Sequence, residues 1–274
     1  MYVVNHTNAH SSCLAPTVER PVRVVGRDLT SNATLAAHSH LWGQLTYALQ
    51  GAIRVTVGRY TWIVPPLRAI WIPANVEHAV TTLEAVRLRP LHVLSDIAPF
   101  QDQANIAECI VLDVSNLLRE LMLALAELNL ASEREDLLTK LILSEIKQAT
   151  QLPLRITLPR DKRLIRLCNS IIANPGNKLT LADWATQAGA SERTLARLFE
   201  QDCGMGFGVW RQQVRLAHSS HLVARGLPLS QVALELGYSS QAAFSSMFKK
   251  TFGVTPSVFF NSAGTNVTNL NRKN

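Results

Sequence analysis

The chain is predicted to fold as two domains of different class. An N-terminal β domain and a short helical segment precede a C-terminal all-α domain built on two helix-turn-helix units. Three observations predict this. Apolar residues alternate in short runs up to about residue 113 and fall at helical spacing after it. A pattern recurs 49 residues apart, as Ser191, Leu195, Phe199 and again as Ser240, Phe244, Phe248. Charge is split: residues 1–154 hold 12 Lys and Arg against 14 Asp and Glu, a net of −2, whereas residues 155–274 hold 15 against 6, a net of +9. A basic excess confined to one half is the footprint of a nucleic-acid-binding domain.

Residues 1–21 are polar and mixed, and read as a poorly ordered leader. Val22 to Asp113 reads as β structure. Short apolar runs recur at 22–25, 45–49, 53–57, 60–64, 69–72, 78–80 and 88–94, punctuated by Gly43, Gly51, Gly58 and Pro65-Pro66. Ile53, Val55 and Val57 alternate with Arg54 and Thr56, as in a half-buried antiparallel strand. Evenly spaced short strands imply a small barrel or sandwich.

Two motifs sit in this stretch. His38-Ser39-His40, then Gln44, then Gly51 follows the spacing HxH-x3-E-x6-G, with Gln44 in the glutamate place. Pro73-Ala74-Asn75, then His78, follows PxG-x2-H, with Asn75 in the glycine place. In order and spacing the pair resembles the two motifs of the cupin barrels. The resemblance implies a cupin-like effector-sensing β-barrel over residues 22–113, with His38, His40, Gln44 and His78 converging inside. Trp42, Tyr47 and Trp71 are expected as aromatic walls of an effector pocket. Three neutral imidazoles at His38, His40 and His78 also suit a divalent transition metal such as zinc, nickel, copper or iron. Gln44 is a poorer ligand than glutamate, so such a metal site would be weak; sensor barrels of the kind this stretch resembles often work without metal, which makes effector contact the leading reading and metal the second.

Residues 114–152 turn helical. Leu117, Leu118, Leu121, Met122, Leu125 and Leu128 fall at helical spacing, and a second helix opens at Ser132 with Glu135 as its capping-box partner. Leucines beyond one narrow stripe imply a dimerisation surface as well as a cover for the β domain. Pro153 and Pro159 bracket a linker, and a basic helix follows from Arg160 to Ala173.

The first repeat unit runs from Thr180 to Phe199. Thr180 and Asp183 are a capping pair, Gly189 is the turn, and Ser191 caps a helix bearing Arg193, Thr194 and Arg197. Residues 208–225 read as one long helix with Trp210, Val214 and Ala217 along a face. The second unit runs from Ser230 to Phe260. Ser230 is the expected cap, Gly237 the turn, and Ser239 or Ser240 the cap of a helix that buries Phe244, Met247 and Phe248. Residues 261–274 are Asn-rich and read as a disordered tail.

Residues 160–260 resemble the DNA-binding domain of the AraC/XylS family of transcriptional regulators. Leu236-Gly237-Tyr238, Ser240, Phe244, Phe248-Lys249, Gly253, Thr255-Pro256 and Phe259-Phe260 carry the resemblance, with 194–199 and Trp210-Arg211 upstream. It implies base reading by Arg193, Thr194, Ala196 and Arg197 on one helix and by Gln241, Ala242, Ser245 and Ser246 on the other, with Lys249 on a phosphate. It also implies double-stranded promoter DNA, a small-molecule effector and RNA polymerase as partners, and a homodimer. The chain is then a ligand-modulated transcription regulator, not an enzyme, controlling a neighbouring transporter or enzyme operon. The alternative is a metal-dependent cupin enzyme tethered to DNA. Cys13, Cys109, Cys168 and Cys203 are widely spaced and suit a reducing cytosol. With no signal peptide and no apolar run of membrane-spanning length, a cytoplasmic protein without membrane contact is expected.

Overall fold

Ile53, Val55 and Val57 are buried and Arg54 and Thr56 half-buried, so the alternation expected from the sequence is realised in β5 (Ile53–Val57). The computed structural model describes residues 15–66, 68–100, 109–128, 131–152 and 154–261. These fall in two compact units, one drawn from 1–58 and 62–153, the other from 59–61 and 154–274.

The first unit is sheet-rich. Its strands are β1 (Val22–Val24), β2 (Arg27–Leu29), β3 (Thr34–His38), β4 (Gly43–Gln50), β5, β6 (Tyr60–Val64), β7 (Arg68–Ile72), β8 (His78–Thr82), β9 (Val86–Leu88), β10 (Leu91–Val93), β11 (Ile110–Asp113) and β12 (Gln151–Leu152). One sheet runs β1-β10-β4-β7-β11-β12, with β9 bridging β2 and β4. In the other, β6, β5, β8 and β3 are successive neighbours. The expected closed barrel is not what forms. The first sheet ends at β1 and β12 and the second at β3, so two open sheets carry the domain.

The two helices are α1 (Asn116–Ala126) and α2 (Glu133–Gln148). Ser115 caps α1 by accepting from Leu118 N at 3.0 Å, and Ser132 caps α2 by accepting from Glu135 N at 3.2 Å. Leu118, Met122, Leu125, Ile142 and Ile146 close one core with Leu45, Tyr47, Trp71 and Leu112 of the first sheet. Leu117, Leu137 and Leu141 stay outside it, at 54%, 56% and 51% exposure. The reciprocal half of the capping box does not form, because the Glu135 carboxylate takes a different partner. Arg20 Nε donates to Glu135 Oε1 at 2.8 Å and Arg20 Nη2 to Leu128 O at 2.9 Å. The end of the expected leader is therefore tied down by an arginine; residues 1–14, like the tail from 262, lie outside the described residues.

The second unit opens with β13 (Arg155–Thr157), where the sequence suggested only linker. Seven helices follow: α3 (Lys162–Ala173), α4 (Leu181–Gln187), α5 (Glu192–Cys203), α6 (Phe207–Ala224), α7 (Leu229–Glu235), α8 (Gln241–Phe252) and α9 (Pro256–Asn261). The repeat is visible in their bounds. Helices α4 and α7 are both 7 residues long and α5 and α8 both 12. Each long helix is capped by a serine and stopped by a left-handed glycine, Gly204 at φ +69° and Gly253 at φ +78°. Between Gly189 and Ser191 lies one residue, and between Gly237 and Ser240 lie two. The second turn is thus one residue longer. Pro228, not Ser230, occupies the N-cap position of α7. Proline there fixes φ near the value an entering chain needs.

Helix α6 is held along its length. Trp210 is buried and its Nε1 donates to Thr157 O at 2.7 Å. Arg211 donates to Leu179 O at 3.0 Å and Arg215 to Pro175 O at 3.2 Å. Gly176 and Gly237 meet directly: a Cβ on Gly176 would lie 2.2 Å from Glu235 O, and one on Gly237 2.9 Å from Gly176 O. The loop after α3 is thereby seated against the turn of the second helix-turn-helix.

Candidate DNA-reading surface and ligand pocket

On α5, Leu195, Phe199 and Cys203 point inward, which leaves Arg193 and Arg197 exposed four residues apart on one face. Neither arginine has an ion-pair partner among the described residues. Their guanidinium forks are free for an outside acceptor. Thr194 and Ala196 are half-buried. The Thr194 hydroxyl is 2.8 Å from that of Ser191 and its amide donates to Ser191 Oγ at 3.1 Å, so it belongs to the cap. On α8, Phe244 and Phe248 are buried while Gln241, Ala242, Ser246, Lys249 and Lys250 are exposed. Ser245 is half-buried, and so is Met247, which was expected inside; Gln212 Nε2 contacts its sulfur.

The two arginines of α6 that follow Trp210 do not join this surface. Arg211 lies 4.9 Å over the Phe207 ring and Arg215 5.4 Å over that of Tyr238, each also bonded to a backbone carbonyl. Part of the basic excess is structural.

In the first unit the histidines do assemble. His38 ends β3 and His78 begins β8, opposite one another in register, with ring centroids 4.5 Å apart. His40 and Trp42 sit on the connection between β3 and β4, stacked at 5.1 Å with ring planes 6° apart. His40 is 5.1 Å from His78. The motif positions explain themselves in the backbone. Gly51 has φ +79°, and a Cβ there would lie 2.4 Å from Ala85 O. Asn75 takes φ +63°, which asparagine tolerates better than most residues, so it can stand in a glycine place. Asn75 N donates to His40 O at 2.8 Å and joins the two motifs.

His92, which lies outside both motifs, belongs to the same group. It pairs across β10 and β4 with Gln44 and lies 5.1 Å from Trp42 and 6.2 Å from His40. The signal was there: a polar residue between Leu91 and Val93 in an apolar run.

Tyr47 and Trp71 are elsewhere. Leu45 is the partner of Trp71 and Gln44 that of Ile72. Gly43, Leu45 and Tyr47 therefore share the Trp71 face, opposite Gln44 and His92. That face packs on α1 and α2, and a Cβ on Gly43 would meet the Trp71 ring at 2.5 Å. Both aromatics are core, not pocket wall.

The metal reading also loses its geometry. Gln44 Nε2 donates to Thr46 Oγ1 at 2.7 Å, and His38 lies exposed at a strand end. Among the described residues, no group of three or more His, Cys, Asp and Glu side chains is arranged to hold a metal ion.

Burial pushes His40 and His78 down to about 4, and the neighbouring His38 and, for His40, His92 add to the shift. An unfolded histidine titrates near 6.5. Above pH 6.5 both states are neutral and the two rings add no pH dependence. As pH falls from 6.5 to about 4 the unfolded chain binds protons that the folded one refuses, so stability falls, by up to about 3 kcal/mol per histidine. Urea denaturation should show this loss, and His78→Gln should remove part of it. An identical pH profile in the variant would refute the assignment.

Among the described residues no helix is long and apolar enough to cross a membrane.

Comparison with known proteins agrees with this architecture. A helix-turn-helix domain family profile matches residues 184–262. The chain is 34% identical over 230 residues to the HTH-type transcriptional regulator NimR of Escherichia coli (strain K12), covering 83% of this chain and 82% of that protein. It is 29% identical over 102 residues to the HTH-type transcriptional regulator RipA of Corynebacterium glutamicum, 37% of this chain and 31% of that one. The HTH-type transcriptional activator RhaR of Escherichia coli is 32% identical over 98 residues, 35% of this chain and 33% of that protein. The likeness to NimR spans most of both chains at more than 30% identity: the chain belongs to the AraC/XylS family of transcriptional regulators.

Proposed function

We propose that the chain binds double-stranded promoter DNA through α5 and α8 and responds to a small-molecule effector at the histidine–tryptophan cluster of its first unit. The observation that carries the DNA part is the matched pair of serine-capped, glycine-stopped helices, one with two unpaired arginines outward. Spaced by α6, the two helices suit successive major grooves, roughly 34 Å apart. Arg193 and Arg197 are the candidates for base reading; Gln241, Ala242, Ser245 and Ser246 offer less, and Lys249 suits a phosphate. The left-handed Gly51 and Asn75 support a cupin-type origin for the sensor. The exposed leucines Leu117, Leu137 and Leu141 support a homodimer through α1 and α2. RNA polymerase is the natural further partner, in a cytoplasmic setting.

The test is a footprint of the purified protein on genomic fragments enriched by it, repeated in excess competitor DNA. Protection of discrete sites that survives competitor is expected. Binding that competitor abolishes, with a steep salt dependence and no discrete site, would overturn the reading. Sedimentation as monomer together with footprints of single sites would overturn the homodimer.

A further inference from the structure

We propose that Glu192 reads a base: its carboxylate accepts from the exocyclic amino group of a cytosine next to the base that Arg193 contacts. The proposal rests on α5 lying in a major groove, and it adds a reading side chain beside the arginines.

The repeat supplies the position. Glu192 follows the capping Ser191 and opens α5, and Gln241 follows the capping Ser240 and opens α8, 49 residues later. Both are exposed. Each is held in the same way, because the serine ahead of it accepts from the amide three residues on, Thr194 N and Ala243 N, at 3.1 Å in both helices. In a helix-turn-helix the first residues of the recognition helix are those that reach base edges. A reading role for Gln241 on α8 therefore implies the same place for Glu192 on α5.

The charge of Glu192 makes that place informative. Residues 155–274 hold 6 acidic residues in a half whose net charge is +9. Five are engaged within the protein. Asp161 pairs with Arg163 at 2.8 Å, Asp183 closes the capping box of α4, and Asp202 accepts from the amides of Arg160 and Asp161 at the start of α3. Glu235 accepts from Gln231 at 3.2 Å. Glu200 lies against the start of α6, its Oε1 3.2 Å from where a Cβ on the N-cap residue Gly206 would stand. Glu192 has no hydrogen-bond or ion-pair partner among the described residues, not even its neighbour Arg193. Ser191 already caps the helix. A carboxylate that served only to favour the helix start would set a negative charge against phosphates at the reading end. A base amino group gives that charge a partner.

The chemistry names the base. An ionised carboxylate only accepts. In the major groove cytosine offers the N4 amino donor, guanine two acceptors, and thymine an acceptor and a methyl group, while adenine sets an N7 acceptor beside its N6 donor. Glu192 thus selects cytosine and rejects guanine and thymine. Arg193 does the reverse, since its fork takes guanine.

The test is selection of duplexes from a randomised library by the full-length protein and by Glu192→Gln, Glu192→Ala and Arg193→Ala. The wild-type motif should hold a cytosine, favoured about tenfold over guanine, next to the base whose preference Arg193→Ala removes. Glu192→Gln should move that position from cytosine to adenine, which glutamine holds through N6 and N7. Glu192→Ala should leave the position without preference and bind non-specific duplex more tightly. Motif positions outside this one should persist in both Glu192 variants, which shows that α5 is still folded. A motif unchanged at every position in both variants assigns Glu192 to charge or helix stability, whether binding tightens uniformly or the melting temperature falls, and overturns the proposal while leaving the groove reading intact. A Glu192-dependent base other than cytosine overturns it as well. A wild-type selection that enriches no sequence removes the groove reading and the proposal with it.

Discussion

Replacing Phe248 by alanine should cost about 3–5 kcal/mol, comparable with the whole net stability of a small domain. The ring is fully buried and lies 4.4 to 5.7 Å, centroid to centroid, from Phe244, Phe252, Phe259 and Phe260. No neighbouring side chain can collapse into the space without opening another gap among those rings. Phe248→Leu should recover most of the loss. DNA affinity should fall with folding, because this cluster is the main part of the core that seats α8. Denaturant titration followed by circular dichroism measures the cost. A change below about 1 kcal/mol would mean that the cluster does not hold the second helix-turn-helix.

The second large effect is on the operator. Arg193→Ala and Arg197→Ala should each remove about 1–3 kcal/mol of discrimination, the worth of a bidentate arginine–guanine contact. Ser245→Ala and Ser246→Ala should cost far less, and Thr194→Ala should cost well under the roughly 1 kcal/mol of a lost N-cap, because its backbone amide still donates to Ser191 Oγ. The two helices differ chemically at equivalent places, so the first should set most of the specificity. Binding measured on the operator and on single-base variants decides this. If the serine changes relax specificity more than the arginine changes, the first helix is not the reader.

Much of this was legible in the residues because the helical domain is written in local signals. Serine caps, glycine stops and buried aromatics act within a dozen residues, and the 49-residue offset gives each signal a second copy. The β domain depends on partners far away in sequence. Parity counted from His38 predicts that Trp42 and Gln44 follow on one strand, but the strand stops at His38 and restarts at Gly43. Which face Tyr47 and Trp71 take depends on where α1 and α2 pack, and no spacing encodes that. The link from Arg20 to Glu135 joins residues 115 apart. His92 hid inside an apolar run because its partner Gln44 is set by register alone.

The stitching of α6 has a consequence for the nucleic acid. Its bonds to Thr157, Leu179 and Pro175, with the glycine-to-glycine contact at 176 and 237, fix the distance and angle between the two reading helices on the protein side. A rigid caliper cannot adjust to its object, so any mismatch with straight B-form DNA is taken up by bending the duplex. That deformation is easiest at pyrimidine–purine steps such as TA and CA. Base pairs midway between the two contacted grooves, which no side chain touches, would then govern affinity through their stiffness.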